Sequence, residues 1–277
     1  PSNISFISTE TADAVRNHLV NNYGYDPGNY GTLVPRAENN KLFGKIDWNL
    51  NKNHQLSLRH SYLHATDENI SRTQGVLEFS NNGYLNDVTS NSTIAELRSR
   101  FGDNMSNNLI IGYTSINRMR NLDDYGPLFP HIDIYEGGNV IRAGSQRSSV
   151  GNVLEQGIGQ LTNNFTIFKN KHVITFGTHN EWFHIYNSFV NRYNGHYEFF
   201  GGLSDFLGDT FSGNSNNRFR VAYSLDYFND RFQPADLNFL QTGFYVQDEW
   251  EVNNQLKLTG GLRVDIPIFI DKPVYNP

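Results

Sequence analysis

The chain has 277 residues, of which 38% are hydrophobic, and a formal net charge of −6 at pH 7. This acidic balance, with no basic stripe, argues against a nucleic-acid partner, and the lack of Cys excludes disulfides and thiolate chemistry. No apolar run approaches the ~20 residues of a membrane-spanning helix. The 20 Phe and 15 Tyr favour a β-rich chain. Because the sequence starts at Pro1, we interpret it as a piece of a longer polypeptide.

Residues 1–40 lack the pattern of a strand. Ser8 or Thr9 is suited to cap a helix that runs through Glu10 to Asn22, and Gly24 is suited to end it. One face of this helix is apolar and carries Ala12, Val15 and Leu19. We predict a loop segment with one short helix, placed on the extracellular side.

Residues 41–267 read as four antiparallel hairpins, with short turns near positions 52, 104, 170 and 254. In the fourth hairpin, Leu258 and Leu262 alternate with Lys257 and Arg263, so one face is apolar and the other is charged. Its turn contains the pair at positions 253 and 254, Asn-Asn, which we expect to adopt the left-handed backbone of hairpin turns.

The connections alternate between short and long, with long excursions near 66–90, 118–150 and 188–238. Structureless loops beyond about 12–15 residues are uncommon in compact soluble domains. Outer-membrane barrels combine short periplasmic turns with long extracellular loops. We therefore predict an all-β fold, an antiparallel transmembrane β-barrel portion of about eight strands from a larger barrel. Residues 268–277 would start a further loop.

Charged side chains are predicted on the inward face of these strands, toward a lumen. This set is Asp47, Arg59, Glu96, Arg98, Glu249 and Arg263. They suit either a ladder of paired charges along a wet wall or contact with a plug domain or a passing substrate. Placing them inside is favourable because an Arg or Lys at the lipid midplane costs about 2–4 kcal/mol.

Aromatic residues fall into two predicted groups. The first ends the oily strands and is interpreted as a membrane girdle, with sugar stacking as the alternative: Trp48, Tyr62, Tyr113, Trp182 and Trp250. The second lies in the long loops and is the candidate set for ligand or partner contact: Tyr125, Phe129, Tyr193, Tyr197 and Phe200.

No catalytic residue, metal site or cofactor is predicted. The acidic residues of the second long loop, which include Asp133 and Glu136, lack the spacing of a calcium loop and are interpreted as solvated. His179 and His184 lack the helical context of a zincin, and no Gly-x-Ser-x-Gly occurs. We expect a binding or transport protein and no enzyme.

The stretch Gln247-Asp248-Glu249-Trp250, a short turn, Leu256-Lys257-Leu258 and Gly261-Leu262-Arg263 resembles the barrel of a TonB-dependent outer-membrane transporter. Two supporting pieces are Lys45-Ile46-Asp47-Trp48 with Leu56-Ser57-Leu58-Arg59, and His172-Val173-Ile174-Thr175-Phe176-Gly177. The resemblance is to the SusC-like and Oar-like groups of Bacteroidetes, and it covers about 41–267. No segment resembles the plug.

The resemblance implies uptake of a bulky nutrient or chelate in the outer membrane of a Gram-negative cell. It also implies partners: the rest of the barrel and its plug, TonB through the plug, and outer-membrane lipid, with a surface lipoprotein as a further candidate. Three alternatives stay open: a complete eight-stranded adhesin or porin, an outer-membrane hydrolase, and a secreted glycan-binding β-sandwich. A strand count tests the complete eight-stranded barrel, and assays of Ser and His mutants test the hydrolase. Solubility without detergent tests the β-sandwich.

Overall fold

The computed structural model describes residues 6–214, 216–224 and 232–271. In chain order its strands are β1 (Ala37–Asn51), β2 (His54–Asn69), β3 (Val76–Glu78), β4 (Tyr84–Phe101), β5 (Met105–Asn121), β6 (His131–Glu136), β7 (Asn139–Ala143), β8 (Val153–Lys169), β9 (His172–Ser188), β10 (His196–Phe199), β11 (Arg218–Arg220), β12 (Ala235–Asn253) and β13 (Leu256–Phe269). Its helices are α1 (Thr9–Tyr23) and α2 (Gly202–Leu207), with single 3-10 turns at Ser80–Asn82 and Phe211–Gly213. Neither helix of the described residues has the length and hydropathy to cross a membrane.

The eight long strands form one sheet, here called the large sheet. Its order is β1-β2-β4-β5-β8-β9-β12-β13, and every neighbouring pair is antiparallel. The sheet does not close on itself, because within the described residues β1 pairs with β2 alone and β13 with β12 alone. The four predicted hairpins and their short turns are confirmed.

The turn of the fourth hairpin corrects one expectation. Neither of its two asparagines has a positive φ, whereas Asn170 in the third turn does, at 55°. The side chain of Asn253 closes the turn instead, because its Oδ1 accepts hydrogen bonds from the backbone N–H of Gln255 at 2.9 Å and of Leu256 at 3.0 Å. Asn51 acts in the same way in the first turn.

The long connections are shorter than predicted, because the strands that flank them are longer. They span 70–83, 122–152 and 189–234, and the large sheet runs from Ala37 to Phe269 instead of 41–267. Positions 215 and 225–231 of the last connection, positions 1–5, and positions 272–277 of the predicted final loop lie outside the described residues.

These connections are not irregular loops: together with the residues that precede β1 they form one packed layer, here called the cap. It consists of α1, α2 and a five-stranded cap sheet of order β11-β10-β6-β7-β3, which mixes parallel and antiparallel pairs. Its hydrophobic core includes Phe79, Ile134, Ile141, Phe199 and Phe206. The core of the described residues therefore lies in the cap, built from four separate stretches of chain.

Helix α1 forms as predicted. Ser8 Oγ accepts from the backbone N–H of Thr11 at 3.2 Å, which satisfies one free donor of the first turn. Gly24 ends the helix in the left-handed conformation, with φ 63°. The predicted apolar face, with Ala12, Val15 and Leu19, is buried in the cap core.

Candidate functional site

The register of the large sheet places all six predicted lumen charges on one face, here called the polar face. One row of paired residues crosses all eight strands on this face: Asn49, Gln55, Arg98, Asn108, Asn164, Gly177, Tyr245 and Arg263. Asp47, Arg59, Glu96 and Glu249 share its parity on their strands. The period-2 pattern therefore holds in three dimensions.

The charges of the polar face form short-range ion pairs. Four pairs involve the predicted charges: Asp47 with Lys45 and Glu96 with Arg98, both at 2.8 Å, Arg263 with Asp265 at 2.6 Å, and Glu249 with Lys257. Arg59 has no ion pair within the described residues. Apart from Glu96, whose side chain is 10% exposed, the members of these pairs are partly exposed to solvent, and such pairs contribute about 0–1 kcal/mol each. The arrangement fits a ladder of paired charges, and contact with a plug or substrate stays a prediction.

The opposite face of the large sheet, here called the apolar face, carries all five predicted girdle residues. Cross-strand pairing gives them the same parity: Trp48, Tyr62, Tyr113, Trp182 and Trp250. The cap does not cover this face, since Ile111 and Phe244 on inner strands are 50% and 56% exposed. Exposed side chains of this size, spread over eight strands, mark a surface that suits an apolar surrounding.

The girdle residues lie at two levels on the apolar face. Trp250 pairs with His172 near the short turns, and Trp182 lies ten residues further along β9. At about 3.3 Å per residue and a tilt of about 45°, these levels are roughly 23 Å apart along a barrel axis. The apolar band of an outer-membrane barrel is about 25 Å tall. The spacing fits a girdle, and that role stays a prediction.

Beyond the upper level, the apolar face becomes polar. His184 Nε2 lies 2.9 Å from Asp236 Oδ1, and His64 Nε2 lies 3.2 Å from Asp87 Oδ1. All four side chains have the parity of the girdle residues. The apolar band therefore ends on the side of the sheet where the long connections leave it.

The five loop aromatics predicted to contact a ligand lie in the cap. Tyr125 is buried, and burial raises its pKa to about 12. Phe129 stacks on Tyr25, with ring centroids 4.0 Å apart, and Tyr197 packs against the cap core. Tyr193 packs on Phe232 at 4.9 Å.

Phe200 is the most exposed of these five aromatics, at 39%. Its ring stacks on Tyr135 with centroids 4.5 Å apart, and the Arg218 guanidinium lies 5.3 Å above it. Ligand contact by the group stays a prediction.

The cap sheet brings together a charged face that the sequence did not reveal. One row of paired residues crosses its five strands: Glu78, Arg142, Asp133, Glu198 and Arg218. A second row contains His131, His196 and Arg220. The prediction that Asp133 is a solvated loop acid is wrong. Its side chain is 4% exposed, because it lies in the middle strand of this sheet.

Asp133 is the centre of a buried hydrogen-bond network. His196 Nε2 lies 2.9 Å from Asp133 Oδ2, and His131 Nε2 lies 3.3 Å from Asp133 Oδ1. Arg142 donates to the same Oδ1 at 3.2 Å and to Glu78 at 2.9 Å. The network therefore ties together three connections of the large sheet, which is a structural role.

The same three residues could hold a metal ion, since one nitrogen of each imidazole and one carboxylate oxygen lie within 4.8 Å of one another. Their hydrogen bonds do not suit one. Arg192 Nε donates to His196 Nδ1 at 3.3 Å, so the His196 proton lies on Nε2 and points at Asp133. A metal at Nε2 would move this proton to Nδ1, against the guanidinium. The geometry fits a proton-bridged network better than a metal centre.

The electrostatics of the network agree with this assignment. Burial lowers the pKa of His196 and outweighs its hydrogen bond to Asp133, which keeps the imidazole neutral near pH 7. Burial opposes ionisation of Asp133, yet the hydrogen bonds from His131 and His196 hold its pKa well below the usual range. Asp133 is therefore a carboxylate that accepts hydrogen bonds from two imidazoles and one guanidinium.

Comparison with known proteins agrees with the architecture. No curated protein matches the chain. The model of one family, described as the outer membrane beta barrel domain, matches residues 2–273. This match covers nearly the whole chain and includes both the large sheet and the cap. The chain therefore belongs to the outer membrane beta barrel domain family, whose members are proteins of the outer membrane.

Proposed function

We propose that this chain is part of the wall of a TonB-dependent outer-membrane transporter that takes up a bulky nutrient or chelate. The observation that carries the proposal is the open large sheet with one apolar and one polar face. Unpaired backbone groups along β1 and β13 are not tolerated in lipid. Further strands must therefore pair with both edges, and a barrel with more than eight strands leaves room for a plugged lumen.

The hairpin of β12 and β13 supports the transporter assignment within this family. It carries the Gln-Asp-x-Trp and Gly-Leu-Arg pattern that resembles TonB-dependent barrels, in antiparallel register with Trp250 opposite Leu258. In the proposal, the four short turns face the periplasm and the cap faces the outside. The partners are then the remaining strands and plug, TonB, outer-membrane lipid and a possible surface lipoprotein.

Conductance of the full-length protein in planar bilayers tests the proposal. A plugged transporter is closed at rest, and a denaturant concentration that releases the plug opens a large channel. The purified protein in detergent should also bind the periplasmic domain of TonB. A steady open channel without denaturant would favour the porin alternative. A barrel that never conducts and does not bind TonB would favour the adhesin and overturn the transporter.

A further inference from the structure

Arginines outnumber carboxylates around the charged face of the cap sheet. Five arginines lie on or beside it: Arg142, Arg147, Arg192, Arg218 and Arg220. Three carboxylates face them: Glu78, Asp133 and Glu198. This local excess of positive charge occurs in a chain whose net charge is −6.

Three of the five arginines have a carboxylate or an aromatic ring that stabilises their charge. Arg142 bonds to Glu78 and Asp133, Arg220 bonds to Glu198, and Arg218 lies over the Phe200 ring.

Arg147 and Arg192 have no carboxylate partner within the described residues. Arg192 donates from Nε to the neutral His196. Its two terminal nitrogens bond to no carboxylate of the described residues. Half-buried guanidinium groups without a carboxylate in bonding distance are costly, and a bound anion would lower that cost.

The backbone holds these two arginines side by side. The N–H of Arg192 donates to the carbonyl of Arg147 at 2.6 Å, and the carbonyl of Arg192 accepts from Ala222 at 3.4 Å. Arg192 has a left-handed backbone, φ 66°, which is uncommon for a residue other than glycine. Burial lowers the pKa of Arg192, the positive charges of Arg220 and Arg147 lower it further, and the nearby carboxylates of Glu198 and Asp133 act in the opposite direction. The Arg192 guanidinium is thus close enough to Arg220 and to Arg147 to be repelled by both.

The pair lies at the edge of the polar face of the large sheet. Arg120, which pairs with Asn86 on that face, approaches Ser149 Oγ at 3.5 Å. Ser149 is two residues from Arg147 in the same connection. A ligand at Arg147 and Arg192 would therefore lie where the polar face meets the cap.

We propose that Arg147 and Arg192, with Arg220 beside them, bind an oxyanion of the ligand, a carboxylate or a phosphate. The planar guanidinium presents paired donors that match both groups. This inference rests on the proposed function, since it states which charge the imported ligand carries. The site is assembled by the cap alone, so binding requires neither TonB nor transport.

Calorimetric titration of the full-length protein in lipid-free detergent tests the site, with citrate and inorganic phosphate as probes. The double variant Arg147→Gln with Arg192→Gln should bind about tenfold more weakly or worse, because charge-assisted hydrogen bonds are lost. The control is Arg100→Gln, which removes one positive charge beside Asp103 at the short-turn end of the sheet. It should bind like wild type. Thermal melts by circular dichroism check that each variant is folded.

The proposal is overturned if neither probe binds wild type saturably up to about 10 mM, or if the double variant keeps its affinity. It is equally overturned if Arg100→Gln loses as much affinity as the double variant, because the loss then reflects the total charge of the protein and not this site.

Mixed micelles with phosphatidylglycerol distinguish whether the bound phosphate belongs to a lipid or to a soluble ligand. If the lipid displaces phosphate from wild type but not from the double variant, the site binds lipid phosphate. If the lipid displaces no phosphate, the site binds a soluble ligand. Anion binding without TonB binding would leave this site standing and reject only the transporter.

Discussion

The large sheet and the cap handle apolar side chains in opposite ways. On the large sheet, Ile46, Trp48 and Leu262 are exposed on a face that no described element covers, while in the cap Phe79 and Ile134 are fully buried. The sheet therefore depends on its surroundings for stability, and the cap has a core of its own. The layer of long strands therefore presents apolar side chains to its surroundings, whereas the layer of packed connections keeps its own inside.

The largest effect is expected from Phe79→Ala, which tests whether the cap has a core of its own. Phe79 is 0% exposed in the cap core, and its truncation should cost about 3–5 kcal/mol. Hydrogen exchange of the β6 and β7 amides measures the loss locally. Phe101→Ala is the matched control on the apolar face, where the ring is 44% exposed and should cost less. Equal losses at both positions would mean that the cap is not an independent core.

A somewhat smaller effect is expected for a charge placed on the apolar face. Val246 lies between the two girdle levels and pairs with Leu262, so Val246→Arg should destabilise the barrel in vesicles by about 2–4 kcal/mol. Gln247→Arg adds the same side chain on the polar face and should be close to neutral. Denaturant unfolding in lipid vesicles measures both. Equal tolerance of the two arginines would contradict the assignment of faces.

The smallest effect comes from acid. The pKa of His196 is lowered from 6.5, chiefly by burial. Below pH 6.5 the unfolded chain binds a proton that the folded cap does not, so the free energy of unfolding falls as the pH falls. The pKa of Asp133 is lowered from 3.8, so its contribution is present above 3.8 and is lost only in stronger acid. Exchange of the β10 amides, corrected for intrinsic rates, should therefore speed up from pH 7 to 5.

The control for the acid effect is His196→Gln, which keeps a donor toward Asp133 and has no proton to gain. This variant should exchange faster at pH 7 but lose most of the pH dependence. An unchanged slope in the variant would place the titrating group elsewhere.

The sequence predicted the large sheet well because each long strand repeats a period of two over many residues. A single charged residue at an apolar position, such as Asp248 on the apolar face, does not hide that pattern. The cap was not predicted, because β3, β10 and β11 have three or four residues each and pair across separate connections. His131 and His196 come together only through the parallel pairing of β6 and β10. No spacing along the chain records that contact.

The division into an apolar face in lipid and a polar face in water is tested most directly on β12. This chain contains no Cys. With any Cys elsewhere in the full-length protein replaced by Ser, single cysteines at positions 244, 245, 246 and 247 can each carry a nitroxide. Collisions with oxygen and with a water-soluble nickel chelate report lipid and water in turn. Oxygen should dominate at 244 and 246 and the chelate at 245 and 247. Equal exposure of all four to the chelate, or the reverse alternation, would contradict a membrane-spanning wall.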